Sequence, residues 1–277
     1  MTMRKTTHTL RVSFMILVVA AFVMPVLIVL MNSFKGQFYI SNAPFAFPSK
    51  ETFVGLKNYL NGIQKIDFFR SLGYSLWITI ASCALIVLFT AMTAWYLQRR
   101  NTTFCKGIYY ALIFSMIVPF QMVMFTMSKV ANVLHLENPI GITLIYLGFG
   151  AGLSVFLYSG FVKGIPISLE EAASIDGCGP IRIFFNVIFP LLSPISITVA
   201  VLNAMWIWND YLLPYLVIGS KYKTIPVAVQ YLQGGYGSRD MGALMAMLIL
   251  SIIPIIIFYA FAQKYVISGV IAGAVKE

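Results

Sequence analysis

Glu171-Ala172-Ala173-Ser174-Ile175-Asp176-Gly177, with Pro190 thirteen residues after the glycine, is the stretch on which the reading of this chain turns. It lies in a polar connection, 163–186, between two long apolar blocks. Ser168-Leu169-Glu170-Glu171 fits a capping box, with Ser168 at the N-cap and Glu171 at the third helical position. Ile167 just before it is placed to staple onto Ala172. Leu169, Ala172, Ala173 and Asp176 share one face by three-and-four spacing. Gly177 suits a left-handed stop, and Pro180 after Gly179 suits the opening of a second short helix. The expectation is helix, sharp turn, helix on a membrane surface, with a small Ala172–Ala173 face that admits a partner's backbone. The alternative is an amphipathic helix resting on lipid without a partner. Such a helix wants a broad apolar face ringed by Lys or Arg, whereas this one carries Glu170, Glu171 and Asp176.

The rest of the chain explains why that connection sits beside a membrane. Of 277 residues, 60% are hydrophobic and 10% charged, against roughly 25% charged in a soluble domain. Six blocks carry no charge: Val12–Phe34, Ser71–Gln98, Gly107–Ser128, Ile140–Val162, Val187–Asn209 and Met241–Gln263. A helix crosses a bilayer in about 20 residues, and in hydrocarbon the backbone must satisfy its own hydrogen bonds. The fold class is therefore expected to be all-α, a polytopic membrane protein with six transmembrane helices (12–34, 71–98, 107–128, 140–162, 187–209, 241–263), forming one domain over 1–277. The first block follows Arg4, Lys5 and Arg11 but is too long for a signal-peptide core, so it reads as an uncleaved span. The net charge of +10 suits loops beside anionic lipid and does not indicate nucleic acid, because no basic run exceeds Arg99-Arg100.

With six spans both termini share a side. The N-terminal tail and the Arg99–Lys106 connection each hold three basic residues and no acid, which favours cytoplasmic termini. Cys83, Cys105 and Cys178 are then too scattered for a disulfide, and their spacing fits no metal site. Residues 33–70 form the longest connection, with a candidate short helix at Thr52–Leu60. Tight loops are expected at 129–139 and 210–240. Pro25, Pro119, Pro194 and Pro254 lie inside spans, where each removes a backbone donor and should kink its helix.

The Glu171-Ala172-Ala173…Gly177…Pro190 spacing resembles the EAA loop of bacterial ABC-importer permeases, with Val187-Ile188-Phe189-Pro190 standing where that family has Ile-x-Leu-Pro. The resemblance covers nearly the whole chain. Pro44-Phe45-Ala46-Phe47-Pro48 with Asn58-Tyr59 resembles the first outer loop of carbohydrate-type members. Trp208-Asn209-Asp210-Tyr211-Leu212-Leu213-Pro214 looks like the stretch after their fifth span, and Gln263–Lys276 like the tail of the maltose-type second permease. Within that group the chain looks most like multiple-sugar and raffinose-type permeases.

The resemblance implies a type I ABC-importer permease fold in the bacterial cytoplasmic membrane. It implies a second homologous permease as heterodimer partner and two copies of a cytosolic ATPase, which would dock on Glu170, Glu171, Ala172, Ala173, Asp176, Gly177 and Pro190. It further implies a lipoprotein or periplasmic sugar-binding protein that delivers substrate. This chain would bind no cofactor; ATP and Mg would sit on the ATPase. The tail, including Gly269, Gly273 and Lys276, is expected to reach the ATPases near their nucleotide sites.

The residues themselves show no energy source, so the chain either conducts passively or borrows energy from a partner, and the EAA-like loop selects the second. Ion-driven carriers place ionisable groups within the membrane, and the six blocks hold none. There is no Gly-Lys dipeptide, hence no Walker A loop. A membrane enzyme would need a nucleophile and base, a metal set or an acid pair, and His8 and His135 are isolated. A sugar importer is the main reading, with glycerol phosphate or another polyol as the alternative cargo. Sugars stack on aromatic faces and bond to amides, which makes Gln121, Asn203, Trp206, Trp208 and Asn209 the candidate pathway residues. An aromatic belt at the interface, or helix packing, is the competing reading for the tryptophans.

Overall fold

The computed structural model describes residues 2–219, 221–234 and 239–274, with side chains described over 10–263 of these. The elements run α1 (Thr2–Asn32), α2 (Gln37–Asn42), α3 (Lys57–Lys65), α4 (Phe68–Arg100), α5 (Thr103–Ile117), α6 (Phe120–Val133) and α7 (Gly141–Val162). They continue as α8 (Ser168–Ile175), α9 (Pro180–Ile183), a π-helical turn (Phe184–Ile188), α10 (Phe189–Leu191) and α11 (Ser193–Asn209). The chain closes with α12 (Leu212–Val217), α13 (Ile225–Tyr231) and α14 (Met241–Ala274). Among the described residues the only extended pairing is an isolated antiparallel bridge between Lys35 and Phe53.

Among the described residues, four helical stretches are long and apolar enough to cross a membrane: Leu10–Asn32, Phe68–Arg100, Gly141–Val162 and Met241–Gln263. Two of the blocks expected as spans kinked at a proline are broken into separate helices. Thr103–Ile117 and Phe120–Val133 meet at 109°, and Pro180–Leu191 and Ser193–Asn209 at 78°. Among the described residues this makes four to six spans, depending on whether each bent pair is one crossing. The first break follows from Pro119. A residue before proline is pushed out of the helical region, and Val118 is extended at φ −78°, ψ 113°. At the second, Pro194 has no N–H to donate to the preceding turn, and the chain bends at Leu192 beside it. Pro25 and Pro254 lie inside continuous helices.

The remaining expectations shift in detail. The helix expected at 52–60 begins only at Lys57, after Gly55 takes a positive φ of 59°. The loop at 129–139 shortens, because α6 runs on to Val133. The stretch 210–240 holds α12 and α13. α14 continues past the expected end at 263 to Ala274, so Gly269 and Gly273 are helical backbone, while Lys276 lies outside the described residues.

Contacts divide the chain into two compact units. The first comprises 1–70 and 228–254. Its connection 33–66 is held by amides bonded to backbone. Asn58 Nδ2 donates to the carbonyls of Ser33 and Lys35, both at 2.8 Å. Asn32 Nδ2 donates to those of Ile28 and Pro44, both at 2.8 Å. Phe34 packs on Phe53 and Tyr59. In the same unit Asp240 caps α14 by accepting the Ala243 N–H at 2.9 Å, and it pairs with Lys65.

The second unit comprises 71–227 and 255–277. Its centre is α7, whose Tyr146 and Tyr158 are fully buried. Gly152 lets α5 lie against α7, where a side chain would strike the Leu112 carbonyl and Met116. Tyr158 Oη and Ser196 Oγ share a hydrogen bond of 2.9 Å that ties α7 to α11.

Candidate functional site

The 163–191 segment leaves α7 at Lys163 and begins to turn at Pro166. The Leu169 N–H already reaches the Pro166 carbonyl, and those of Glu170 and Glu171 both reach Ile167. Turning starts too early for the expected cap: Ser168 falls inside the first turn, Ile167 takes the N-cap position with helical angles, and no side chain caps the helix. Ile167 is 55% exposed, so the expected staple onto Ala172 is not formed either.

The far end of α8 follows the sequence closely. Gly177 has φ +79°. The Cys178 N–H bonds the Ala173 carbonyl and the Gly177 N–H bonds that of Ser174, both at 3.0 Å, which is a Schellman termination. A Cβ at Gly177 would meet nothing, so the requirement is conformational rather than spatial. Gly179 then extends the chain, and Pro180 opens α9 from its first helical position. From Pro180 the backbone runs through the π-helical turn to Pro190, which is exposed. Residues 187–190 thus belong to the surface arm before the bend rather than to the straight part of a span.

The exposed side of α8 carries Glu171, Ala172 and Asp176, with Ala173 half-buried against the core. Ile175 is 86% exposed and Ile181, across the turn, 72%. A helix–turn–helix that exposes two isoleucines, one on each side of the turn, beside acidic residues presents an apolar and charged surface together. A shallow open recess beside it is lined by Pro180, Ile181, Arg182 and Phe185.

Glu170 is not part of that exposed side. Its Oε1 accepts from Arg99 Nε at 2.6 Å and its Oε2 from Trp95 Nε1 at 3.0 Å. Arg99 also donates to the Ile165 carbonyl at 3.0 Å. Trp95 and Arg99 are four residues apart on α4, hence on one face, and a single carboxylate meets both. The side chains of Arg99 and Glu170 are 18% and 13% exposed. A hydrogen bond to a charged group is worth about 1.5–3 kcal/mol, so α8 is firmly held at its first turn. Trp95 also packs on the fully buried Phe184 of the π-helical turn, with centroids 5.6 Å apart. Sequence reasoning missed Trp95 and Arg99 as site residues. The available signal was an acid in the 163–186 connection and an arginine at the end of a charge-free block.

The candidate pathway residues divide. Asn203 is buried, and its Nδ2 donates to Ser154 Oγ at 3.1 Å and to the Val199 carbonyl at 2.8 Å. Trp208 is 8% exposed. Both are spent on packing within the second unit. Trp206 is 41% exposed and sets its ring edge-to-face with Tyr146, 5.4 Å between centroids. Tyr146 Oη in turn donates to Asp210 Oδ2 at 3.0 Å. Asn209 and Gln121 are exposed, Asn209 bonding the Met205 carbonyl at 2.7 Å.

Residues 86–271 match the family described as binding-protein-dependent transport system inner membrane component. The chain is 41% identical over 254 residues to the probable starch degradation products transport system permease protein AmyC of Thermoanaerobacterium thermosulfurigenes, covering 91% of each. It is 35% identical to the multiple sugar-binding transport system permease protein MsmG of Streptococcus mutans, again over 91% of each. It is 32% identical to the melibiose/raffinose/stachyose import permease protein MelC of Bacillus subtilis, over 94% of each. Its fold superposes with a TM-score of 0.79, at 19% identity, on a chain of a bacterial ABC transporter involved in the import of the acidic polysaccharide alginate, covering 94% of this chain and 96% of that one.

Proposed function

Because the chain belongs to the family of binding-protein-dependent transport system inner membrane components, a transport component and not a catalytic enzyme, we propose that it is the permease subunit of an ATP-binding-cassette importer that brings an oligosaccharide into the cell. Relatives at 32–41% identity over most of the chain carry names of starch-product, multiple-sugar and raffinose-type permeases, which supports the sugar reading. The observation that carries the mechanism is α8. It is fixed at its first turn, ended by a glycine, and exposes Glu171, Ala172, Ile175 and Asp176.

A separate cytosolic ATPase, in two copies, docks on that exposed side and holds the ATP and Mg. A second, homologous permease completes the translocation path, and a sugar-binding protein delivers substrate from outside. The termini and α8 face the cytoplasm. ATP binding closes the ATPase pair and draws α8 with it, switching the spans between inward-open and outward-open states that lie within a few kcal/mol of each other. Trp206, Gln121 and Asn209, the exposed pathway candidates, line the sugar route; Asn203 and Trp208 shape it from behind. The tail from Gly269 through Gly273 to Lys276 reaches the ATPases near their nucleotide sites. Deleting 270–277 is expected to lower transport-coupled ATP hydrolysis more than it lowers assembly, measured on the purified complex.

The reading is tested by reconstituting the chain with its second permease, ATPase and binding protein in proteoliposomes and offering a panel of α-linked oligosaccharides, polyols and glycerol phosphate. ATP-dependent uptake of an oligosaccharide is expected. ATP-independent uptake, or uptake of glycerol phosphate alone, contradicts it.

A further inference from the structure

Glu170 is placed unlike its neighbour Glu171. Glu171 is exposed, whereas Glu170 spends both carboxylate oxygens inside the chain, on Trp95 and Arg99 of α4. Arg99 adds a second grip, on the Ile165 carbonyl where the segment leaves α7. Trp95 adds a third, through its ring on Phe184, which is fully buried in the π-helical turn of the arm's second half. Phe184 further packs on Phe189, at 5.6 Å, beside Pro190. Two side chains one turn apart on α4 therefore hold the entry to α8, its first turn and the helix that follows Gly177. A force applied to the exposed side of α8 meets no free hinge before it reaches α4, because the Gly177 turn is bridged on its inner side through Trp95.

We propose that Trp95, Arg99 and Glu170 form a clamp that makes α8, the 180–191 helix and the adjoining end of α4 one mechanical body, so that movement of the docked ATPase is delivered directly to the α4 span. These are positioning residues: they act through α8 and touch neither sugar nor nucleotide. The proposal rests on the docking reading above. It assigns Glu170 to transmission rather than to the docking surface, which it leaves to Glu171, Ile175 and the exposed face around them.

The test uses the assembled transporter. Glu170→Gln keeps the shape and removes the charge that Arg99 answers. Trp95→Phe keeps the ring against Phe184 and removes only the N–H. Both variants are expected to capture the ATPase, since Glu171 and Ile175 are untouched. Sugar moved per ATP hydrolysed is expected to fall about five- to tenfold for Glu170→Gln, at the lower end of typical coupling between sites, and by less for Trp95→Phe. A second measurement leaves Trp95, Arg99 and Glu170 unaltered. Spin labels at Ser174→Cys on α8 and Tyr96→Cys on α4, in a background without Cys83, Cys105 and Cys178, should give one distance that is the same without nucleotide and with ATP. A distance that changes between those states, or an unchanged transport-to-hydrolysis ratio in an assembled Glu170→Gln transporter, overturns the clamp. Absence of ATPase capture by the unaltered chain overturns the docking reading and the clamp's role with it, and it is scored separately.

Discussion

The arm at 163–191 and the connection at 33–66 are both polar segments that lie between apolar helices, and they are built in opposite ways. The connection is tied by Asn32 and Asn58 to carbonyls 4 to 25 residues away, with Phe34, Phe53 and Tyr59 packed beside them. The arm is tied by one carboxylate and one guanidinium to partners 66 to 75 residues away, on a different long helix. Local amide-to-backbone bonds hold the shape of a segment. Long-range side-chain bonds make a segment move with something else. The first suits a fixed cap and the second a lever.

Breaking the lever gives the largest expected effect. Gly177→Asp puts a side chain at φ +79°, and Glu171→Lys reverses the exposed charge. Either should reduce sugar uptake to background in cells while the protein remains in the membrane at normal level, read by uptake assay and immunoblot of the membrane fraction. Normal uptake by either would remove the functional side of the comparison.

The cap is challenged by Asn58→Ala. Two carbonyls lose a buried amide donor, and each unpaired buried group costs about 1–3 kcal/mol. The variant should therefore lose about 2–6 kcal/mol, seen as a lower unfolding temperature in detergent and faster proteolysis within 33–66. In contrast with the lever variants, whatever survives in the membrane should transport with an unchanged ratio of sugar to ATP.

The smallest effect is expected at Asp240. Burial raises its carboxyl pKa, but the Ala243 N–H, Lys65 and the Gly242 N–H outweigh burial and hold it below its ordinary 3.8. A carboxyl depressed in the folded state stabilises above its unfolded value and loses that contribution as pH falls through the lower folded one. Acid sensitivity from this group is thus confined to below about pH 4. Asp240→Asn retains a capping side chain and loses the ion pair, for a cost of about 0.5 kcal/mol. A pH–stability titration of the two proteins should diverge above pH 4 and converge below it.

What the sequence made legible was local. Gly177, Pro180 and Pro119 act through their own backbone restrictions, so helix, turn, helix and a break in the third apolar block were readable from single residues. The capping box failed because Pro166 started the turn early and Arg99 and Trp95 drew in Glu170, an arrangement set 71 to 75 residues away. The 78° bend at Leu192 moved 187–190 off the straight part of the span; proline announced a kink but not its size. Among the pathway candidates, Asn203 and Trp208 have the right chemistry for sugar but are spent on Ser154 and on packing. Residue type cannot separate the two fates, because a buried amide needs a partner whether it faces a path or a core.

The central claim is that α8 is the seat of a separate motor, and co-purification tests it most directly. The chain is extracted from membranes through an affinity tag, unaltered and as Gly177→Asp, and the associated proteins and nucleotide are quantified. The account predicts that an ATPase is recovered with the unaltered chain, that it is lost or strongly reduced with Gly177→Asp, and that the chain stripped of partners retains no ATP. An ATPase recovered equally with both chains, or nucleotide bound to the stripped chain, would contradict it.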